Sequence, residues 1–513
     1  MNMKNDSKRL ILTLVSQIIT FVISMAISFF LTPYYVENVG EDAYGFIGLA
    51  NNFISYIQII TVAINSMAGR FVTVAIHRNQ KTEASQYFSS VLYSNILISI
   101  PLTIISTVFI YNIEKFINVP NDLLVDVKVL WALIFLGFVV SLIGNVYTIS
   151  CFSNNRLDFK YKVTAESYVV RAVTIILLLR LFDASIWFYG AAAAFENIYL
   201  IIRNVFFTRK MSPDLTFHRK DASFSKIKEL LVSGIWSSIT KLSAILTNGL
   251  DLLIANLMID ASAMGKISIA RTLPQCIIVF FALIGHAFMP EITILYAKGE
   301  METAKEKLVS AVKLLTVFSS IPMACIYVFG MNFYSLWVPS QDSTLLYLLT
   351  IIGSMEYAVA LPLEPLWNMF TVTNKVKLSS LITLITAGLS STVTIITLNF
   401  VSDPTIKMFI IVGVSSFLAL VRALTVLPII SANMIGANKK SFYSCILLSV
   451  VSTIIATGIG FGIKYLIFEN TWIMFFVCCF LTALVSLLFN AFIMLNRAER
   501  RQLVIKMKSF FNI

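Results

Sequence analysis

The sequence predicts an all-α, polytopic membrane protein with fourteen transmembrane helices, arranged as two parallel six-helix repeats and a C-terminal helix pair. Three observations predict it. The 513 residues are 58% hydrophobic and 13% charged, with mean hydropathy +0.84, against about 45–50% apolar and about 25% charged in soluble domains. Polar breaks divide the chain into fourteen apolar runs, most of them near the about 20 residues that a bilayer span requires. The chain also partly matches itself at a nearly constant offset of about 220 residues, the mark of a repeat.

The first run, 10–34, follows Lys4, Lys8 and Arg9 and is too long for the apolar core of a signal peptide, so it reads as a retained helix. Runs 43–66, 88–111 and 129–151 come next, then a short hairpin of 163–180 and 184–206. After the longest inside loop come 230–258, 266–290, 310–337, 344–372, 378–400 and 408–432, and last the pair 442–466 and 471–495. With the N-terminus inside and loops alternating, inside segments hold 28 of the 39 Lys and Arg residues and outside segments six. That asymmetry is a strong positive-inside signal. It places both termini in the cytoplasm and makes the helix number even. The net charge of +12 is then a topology signal and gives no reason to expect nucleic acid.

The self-match sets the domain organisation. Ala43, Gly45, Ile47 and Ala50 fall on Ala263, Gly265, Ile267 and Ala270; Ser99-Ile100-Pro101 falls on Ser320-Ile321-Pro322; Asn155-Arg156 falls on Asn374-Lys375; Arg203 falls on Arg422. The offset equals six helices, an even number, so both copies run the same way through the membrane. The expected boundaries are an N-terminal lobe at 1–206, a cytoplasmic linker at 207–229, a C-terminal lobe at 230–432, and the additional pair with its tail at 433–513. The linker, with Phe217, Phe224 and Ile227 among six basic residues, reads as an interfacial segment or a solvated loop.

Three stretches carry a family resemblance. Val39-Gly40-Glu41-Asp42-Ala43-Tyr44-Gly45 is similar to a Gly-x-x-x-Tyr-Gly turn, Asp251 through Ala270 to an acid followed by a Gly-centred turn, and Leu363 through Lys377 to a helix end with Trp367 and a basic turn. With the helix count, these resemble the multidrug/oligosaccharidyl-lipid/polysaccharide (MATE-like) flippase superfamily, and within it the polysaccharide transporter branch of O-antigen and capsular oligosaccharide flippases. The resemblance implies transfer of undecaprenyl-diphosphate-linked oligosaccharides from the inner to the outer leaflet, by alternating access of two lobes around a central, often cationic, cavity. Expected partners are the lipid-linked oligosaccharide, membrane lipids, a coupling ion (proton or sodium) and polysaccharide assembly proteins.

Charged side chains inside spans cost about 3 kcal/mol or more near the centre and point to function. Five bases (Arg171, Arg203, Lys241, Arg271, Arg422) and five acids (Glu166, Glu196, Asp251, Glu356, Glu364) lie there. At 1.5 Å per residue, Arg171 and Glu196 both come out about 12 Å from the inner face and can meet across their hairpin. Asp251 and Arg271 both lie near the outer face and can pair as well. Lys241, among Ser237, Ser238, Thr240 and Ser243, has no obvious partner and is the leading candidate for a diphosphate contact, with snorkelling or a pair with Glu356 as the alternatives. Arg203 and Arg422 either snorkel to headgroups or flank a cavity mouth with Arg70, where a forked guanidinium suits phosphate. The substrate-binding candidates are therefore Lys241, Arg171, Arg271, Arg422, Arg203 and Arg70. Glu196, Asp251, Glu356 and Glu364 are ion-pair or coupling candidates. Gln17, Ser24, Ser28, Asn51, Asn52, Asn65 and Ser66 face either sugar hydroxyls or one another.

The six cysteines and three histidines form no metal-ligand spacing, and no nucleotide loop or catalytic triad is visible. No cofactor, metal or enzymatic activity is expected. A cation-coupled multidrug exporter of the same superfamily is the alternative function. It is disfavoured by the absence of an acid from the first span. A membrane polysaccharide polymerase or ligase is a more distant one, because no large external loop is present.

Overall fold

The computed structural model describes residues 3–494 except 155, 249, 374 and 468. The basic tail at 497–508 and the repeat partners Asn155 and Asn374 lie outside the described residues. The chain divides into two compact units, 1–268 and 269–513. In order, the helices are α1 (Met3–Asn38), α2 (Glu41–His77), α3 (Lys81–Tyr111), α4 (Leu124–Gly144), α5 (Ile149–Ser153), α6 (Leu157–Leu181), α7 (Trp187–Met211), α8 (Phe224–Asn248), α9 (Asp251–Met258) and α10 (Ala261–Ala287). There follow α11 (Met289–Ala297), α12 (Met301–Trp337), α13 (Ser343–Gly353), α14 (Tyr357–Ala360), α15 (Glu364–Val372), α16 (Val376–Leu398), α17 (Pro404–Leu424), α18 (Val426–Ile435), α19 (Lys439–Ile467) and α20 (Trp472–Met494).

Among the described residues, eleven helices are long and apolar enough to cross a membrane, or twelve if α13 with α14–α15 counts as one span. The two remaining runs of the sequence are α6 and α7. Each has 25 residues, about 38 Å at 1.5 Å per residue, enough for a hydrocarbon core of about 30 Å. Their charges, such as Glu166, Arg171, Glu196 and Arg203, keep them below the apolar standard of the others.

Five runs expected as single helices are interrupted: 129–151, 266–290 and 408–432 divide between α4 and α5, α10 and α11, and α17 and α18, and the other two breaks carry acidic residues. The run 230–258 separates into α8 and α9, with Asp251 heading α9, where a carboxylate meets the positive end of the helix dipole. The run 344–372 bends by 42° between α13 and α14–α15. Pro362 and Pro365 sit at the next junction, between α14 and α15, and neither can donate a backbone hydrogen bond.

The matched positions share burial as well as sequence. Ala43, Ile47 and Ala50 are at most 4% exposed, and so are Ala263, Ile267 and Ala270. The glycines explain the match. A Cβ on Gly265 would lie 2.3 Å from the Glu41 carbonyl oxygen, and one on Gly45 would lie 3.0 Å from the Gly265 Cα. The starts of α2 and α10 thus touch backbone to backbone, fastened by Lys266 to Glu41 at 3.4 Å and by Ser262 donating to Glu41 at 2.5 Å. Nearby, Asn256 and Asn118 exchange three hydrogen bonds of 2.8–3.0 Å and tie α9 to the loop between α3 and α4.

Helix α8 packs along α2. Gly234 is the closest point, where an added Cβ would fall 1.8 Å from the Ala63 carbonyl oxygen. A backbone atom cannot swing aside, so Gly234→Ala must push the helices apart. Overpacking of this kind costs about 1–3 kcal/mol or more. The expected outcome is a clear fall in monodisperse protein in fluorescence-detected size exclusion, and wild-type behaviour would show that the contact is looser than described.

The linker leaves Phe224 79% and Phe217 38% exposed, yet it is not loose. It is strapped to the start of α3. Lys226 bonds Glu83 at 2.5 Å, Tyr87 donates to Glu229 at 2.7 Å, Ser85 donates to Asp221 at 3.1 Å, and Ser90 accepts from the Ser223 amide at 2.9 Å. Ile227 joins the apolar cluster of Phe88 and Val91.

In the second unit, α19 and α20 dock on α12 through a buried polar seam. Asn490 donates to Ser320 at 2.8 Å and to the Val317 carbonyl at 3.0 Å, and Ser452 donates to Ser320 at 3.0 Å. In a lipid environment such bonds hold helices together where hydrophobic burial provides no preference. Pro101 and Pro322, the matched prolines, both lie inside long helices, α3 and α12.

Candidate functional site

The first unit encloses a cavity of about 140 Å³ between α1, α2, α6 and α7. Its polar lining follows from helical spacing. Ser24, Ser28, Thr32 and Tyr35 recur at steps of four, four and three along α1, Tyr44, Gly48 and Asn51 do so along α2, and Tyr168 and Arg171 along α6. Such steps put side chains on one face of a helix.

Arg171 is the one charged residue of that lining. Its Nη1 lies 3.5 Å from Glu196 Oε2, and the two side chains are 19% and 11% exposed. Its guanidinium sits over the Tyr189 ring at 4.3 Å, a cation–π contact that strengthens as water is excluded. Asn51 donates to the Ile47 carbonyl at 2.9 Å and to Tyr189 Oη at 3.4 Å, and Thr32 pairs with Tyr44 at 3.1 Å. Two buried polar atoms of the lining residues have no hydrogen-bond partner among the described residues, Tyr35 Oη and Arg171 Nε.

A second rung crosses the same hairpin. Five residues back on α6 and seven onward on α7, as antiparallel helices require, Arg203 meets Glu166. Nε and Nη2 donate to its two oxygens at 3.1 and 3.4 Å, and Tyr199 adds a bond of 2.9 Å. The fork of Arg203, expected either to snorkel or to stand at a cavity mouth, is occupied by a carboxylate of its own hairpin.

The amides of the first two spans divide in use. Asn65 and Asn95 exchange hydrogen bonds of 2.9 and 3.2 Å, and Asn95 also donates to the Leu142 carbonyl at 2.9 Å. That is interhelical packing. Asn51 faces the cavity. Lys241 is partly buried on α8, and no side chain is paired with it among the described residues. Its neighbour Ser238 donates to the Ile59 carbonyl of α2 at 2.7 Å. Arg70 is exposed on α2, and Asp251 is 5% exposed at the head of α9.

The second unit gathers four of the named charges at the break in α13–α15. Glu356 accepts from the Ser416 hydroxyl and lies within electrostatic range of both Arg422 and Arg271. Glu364, the first residue of α15, feels Arg422 as well. Arg422 stands 5.4 Å over the Trp367 ring, and its Nη1 is buried with no hydrogen bond among the described residues. Two acids face two arginines where a helix is interrupted, which is where transporters place binding groups. Among the described residues no group of three His, Cys, Asp or Glu is placed to hold a metal ion.

Sequence reasoning singled out Arg171, Glu196, Ser24, Ser28 and Asn51 and missed Tyr35, Tyr44, Tyr168 and Tyr189. Nineteen tyrosines in the chain hide any four. The signal that finds Tyr35 is its register with Ser24, Ser28 and Thr32.

Residues 13–177 match the MatE family. The chain is 28% identical over 486 residues, 95% of each chain, to the uncharacterized membrane protein EpsK of Bacillus subtilis (strain 168). Its fold is similar to that of a multidrug resistance MATE family transporter of the MOP superfamily in an inward-facing conformation, with TM-score 0.69 at 12% identity over 81% of this chain and 95% of that one. It is also similar to the lipid II flippase MurJ in an inward closed conformation, with TM-score 0.63 at 12% identity over 93% and 98%.

Proposed function

We propose that this chain, a multi-pass membrane protein with a MatE domain and the MATE-type fold, is a flippase for lipid-linked oligosaccharides. It carries undecaprenyl-diphosphate-linked repeat units from the inner to the outer leaflet of a bacterial plasma membrane. In this reading fourteen spans form two six-helix lobes and an extra pair, both termini are cytoplasmic, and the cycle is alternating access without chemical conversion of the cargo.

The observation that carries the reading is the lining of the first unit's cavity. Hydroxyls, an amide and tyrosines surround an arginine there, and the carboxylate beside it is neutralised by that arginine. A cationic drug finds no unpaired acid in this lining, whereas a hydroxyl-rich cargo finds donors and acceptors. Lys241, with no paired side chain among the described residues, supports a diphosphate contact.

Deletion and complementation test the reading. Loss of the protein should leave lipid-linked repeat units on the cytoplasmic leaflet, and the intact gene should restore their outward transfer. Lys241→Ala should fail to restore transfer at normal membrane abundance, a loss of tenfold or more, because a charge-assisted bond to a phosphate contributes about 1.5–3 kcal/mol. An unchanged leaflet distribution with altered dye efflux would contradict the proposal and favour a drug exporter.

A further inference from the structure

We infer that the cavity of the first unit is a seat for a single neutral sugar ring, one pyranose of the cargo, held apart from the diphosphate contact. The inference rests on the flippase reading and specifies which part of the cargo this cavity takes.

Size comes first. The cavity measures about 140 Å³, and a dry cavity of about 150 Å³ accepts one benzene. The space therefore matches the ring of one monosaccharide, whose exocyclic hydroxyl and hydroxymethyl groups must lie along the walls and toward the open side. A diphosphate with its lipid does not fit, nor does an oligosaccharide of several units.

Charge comes second. Arg171 is the only charged side chain of the lining, and Glu196 at 3.5 Å cancels it. A phosphate gains little from a guanidinium already shared with a carboxylate. A lipophilic cation would have to approach that guanidinium. The electrostatically neutral site suits a neutral ligand.

Chemistry comes third. Tyr35 Oη and Arg171 Nε stand unsatisfied behind the lining, at about 1–3 kcal/mol for each buried polar group without a partner, and a polar ligand that shifts either side chain gives it one. Tyr35 is 1% exposed, and both atoms are buried without a partner among the described residues. Nε can only donate, while a tyrosine hydroxyl donates and accepts. The hydroxyls of a pyranose do both, and its oxygens are spread around the ring as these two groups and Ser24, Ser28 and Asn51 are spread around the walls. Tyrosine side chains add apolar surface with a polar tip, which suits a ring with hydrophobic C–H faces and a hydroxylated edge.

The test uses the full-length protein in lipid nanodiscs and saturation-transfer NMR with D-glucose, D-galactose and N-acetyl-D-glucosamine at millimolar concentration. Inorganic phosphate and tetraphenylphosphonium serve as competitors. The expected result is transfer to at least one sugar, undiminished by phosphate or the cation. Tyr35→Phe keeps the ring and removes one hydroxyl. It should weaken binding about fivefold, the value of one neutral hydrogen bond, with unchanged thermal stability. Ser28→Ala gives an independent second variant with the same expectation. The inference is overturned if none of the sugars binds, which leaves a cavity filled by water only, if phosphate displaces the sugar, or if both variants bind as wild type does. Leaflet transfer of lipid-linked saccharide is measured on the same preparations. Transfer without sugar binding removes this site and leaves the flippase reading standing. Tyr35-dependent sugar binding without transfer does the reverse.

Discussion

Replacing Arg171 by alanine will abolish transport and sharply lower the amount of folded protein in the membrane. The guanidinium is the counter-charge of Glu196, and both side chains are largely withdrawn from solvent. Removing one member of a buried ion pair costs about 3–5 kcal/mol, because the other charge is left uncompensated. That is a large part of a typical total stability of about 5–15 kcal/mol. Arg171→Ala also strips the cation from the Tyr189 face. Replacing both partners with apolar residues, Arg171→Met with Glu196→Met, removes the stranded charge and should return membrane abundance to near wild type, since such replacements are often neutral or stabilising. Transport should stay lost in the double variant, because the cavity has exchanged its donor for a thioether. Abundance is read by quantitative immunoblot and transport by leaflet transfer. Recovery of both together would reduce the pair to a strut between α6 and α7.

The second large effect is expected at the helix break of the second unit. Arg422 lies within electrostatic range of Glu356 and Glu364 and over the ring of Trp367. Arg422→Ala leaves Glu356 with Arg271 and takes from Glu364 the arginine it faces. The expectation is at least a tenfold loss of transport together with reduced abundance. Arg422→Lys should not rescue it, because an ammonium supplies neither the planar stack on Trp367 nor the fork. Adding Glu364→Gln to Arg422→Ala restores charge balance and should recover abundance. If abundance fails to recover, the cluster is held by packing and not by charge.

Much of this arrangement was legible before any coordinates. The apolar runs located the helices because lipid requires every backbone polar group to be satisfied within a helix. The repeat was legible because Gly45 and Gly265 stand where backbones touch, and a close contact restricts residue size more tightly than a lipid face does. The meeting of Arg171 with Glu196 follows from counting depth along two antiparallel helices.

Other features were hidden for physical reasons. The breaks ahead of Asp251 and within α13–α15 lie inside runs as apolar as any unbroken helix, and a single proline kinks a span as readily as it ends one. Arg203 looked free because its partner, Glu166, is 37 residues away and was not placed in register with it. The strapping of the linker depends on Ser85, Ser89 and Ser90, whose hydroxyls are unremarkable in sequence and become informative only when a second segment lies over them. The cavity tyrosines were masked by their abundance.

Purified protein in sealed proteoliposomes, with a fluorescent saccharide on a polyprenyl diphosphate in both leaflets and a membrane-impermeant quencher outside, tests the central claim most directly. The account predicts that quenching proceeds from the outer-leaflet fraction to nearly all of the label, at a rate abolished by Arg171→Ala with Lys241→Ala, while empty liposomes stop at the outer fraction. Protein-containing vesicles that also stop at the outer fraction, yet move a cationic dye across the same membrane, would contradict it.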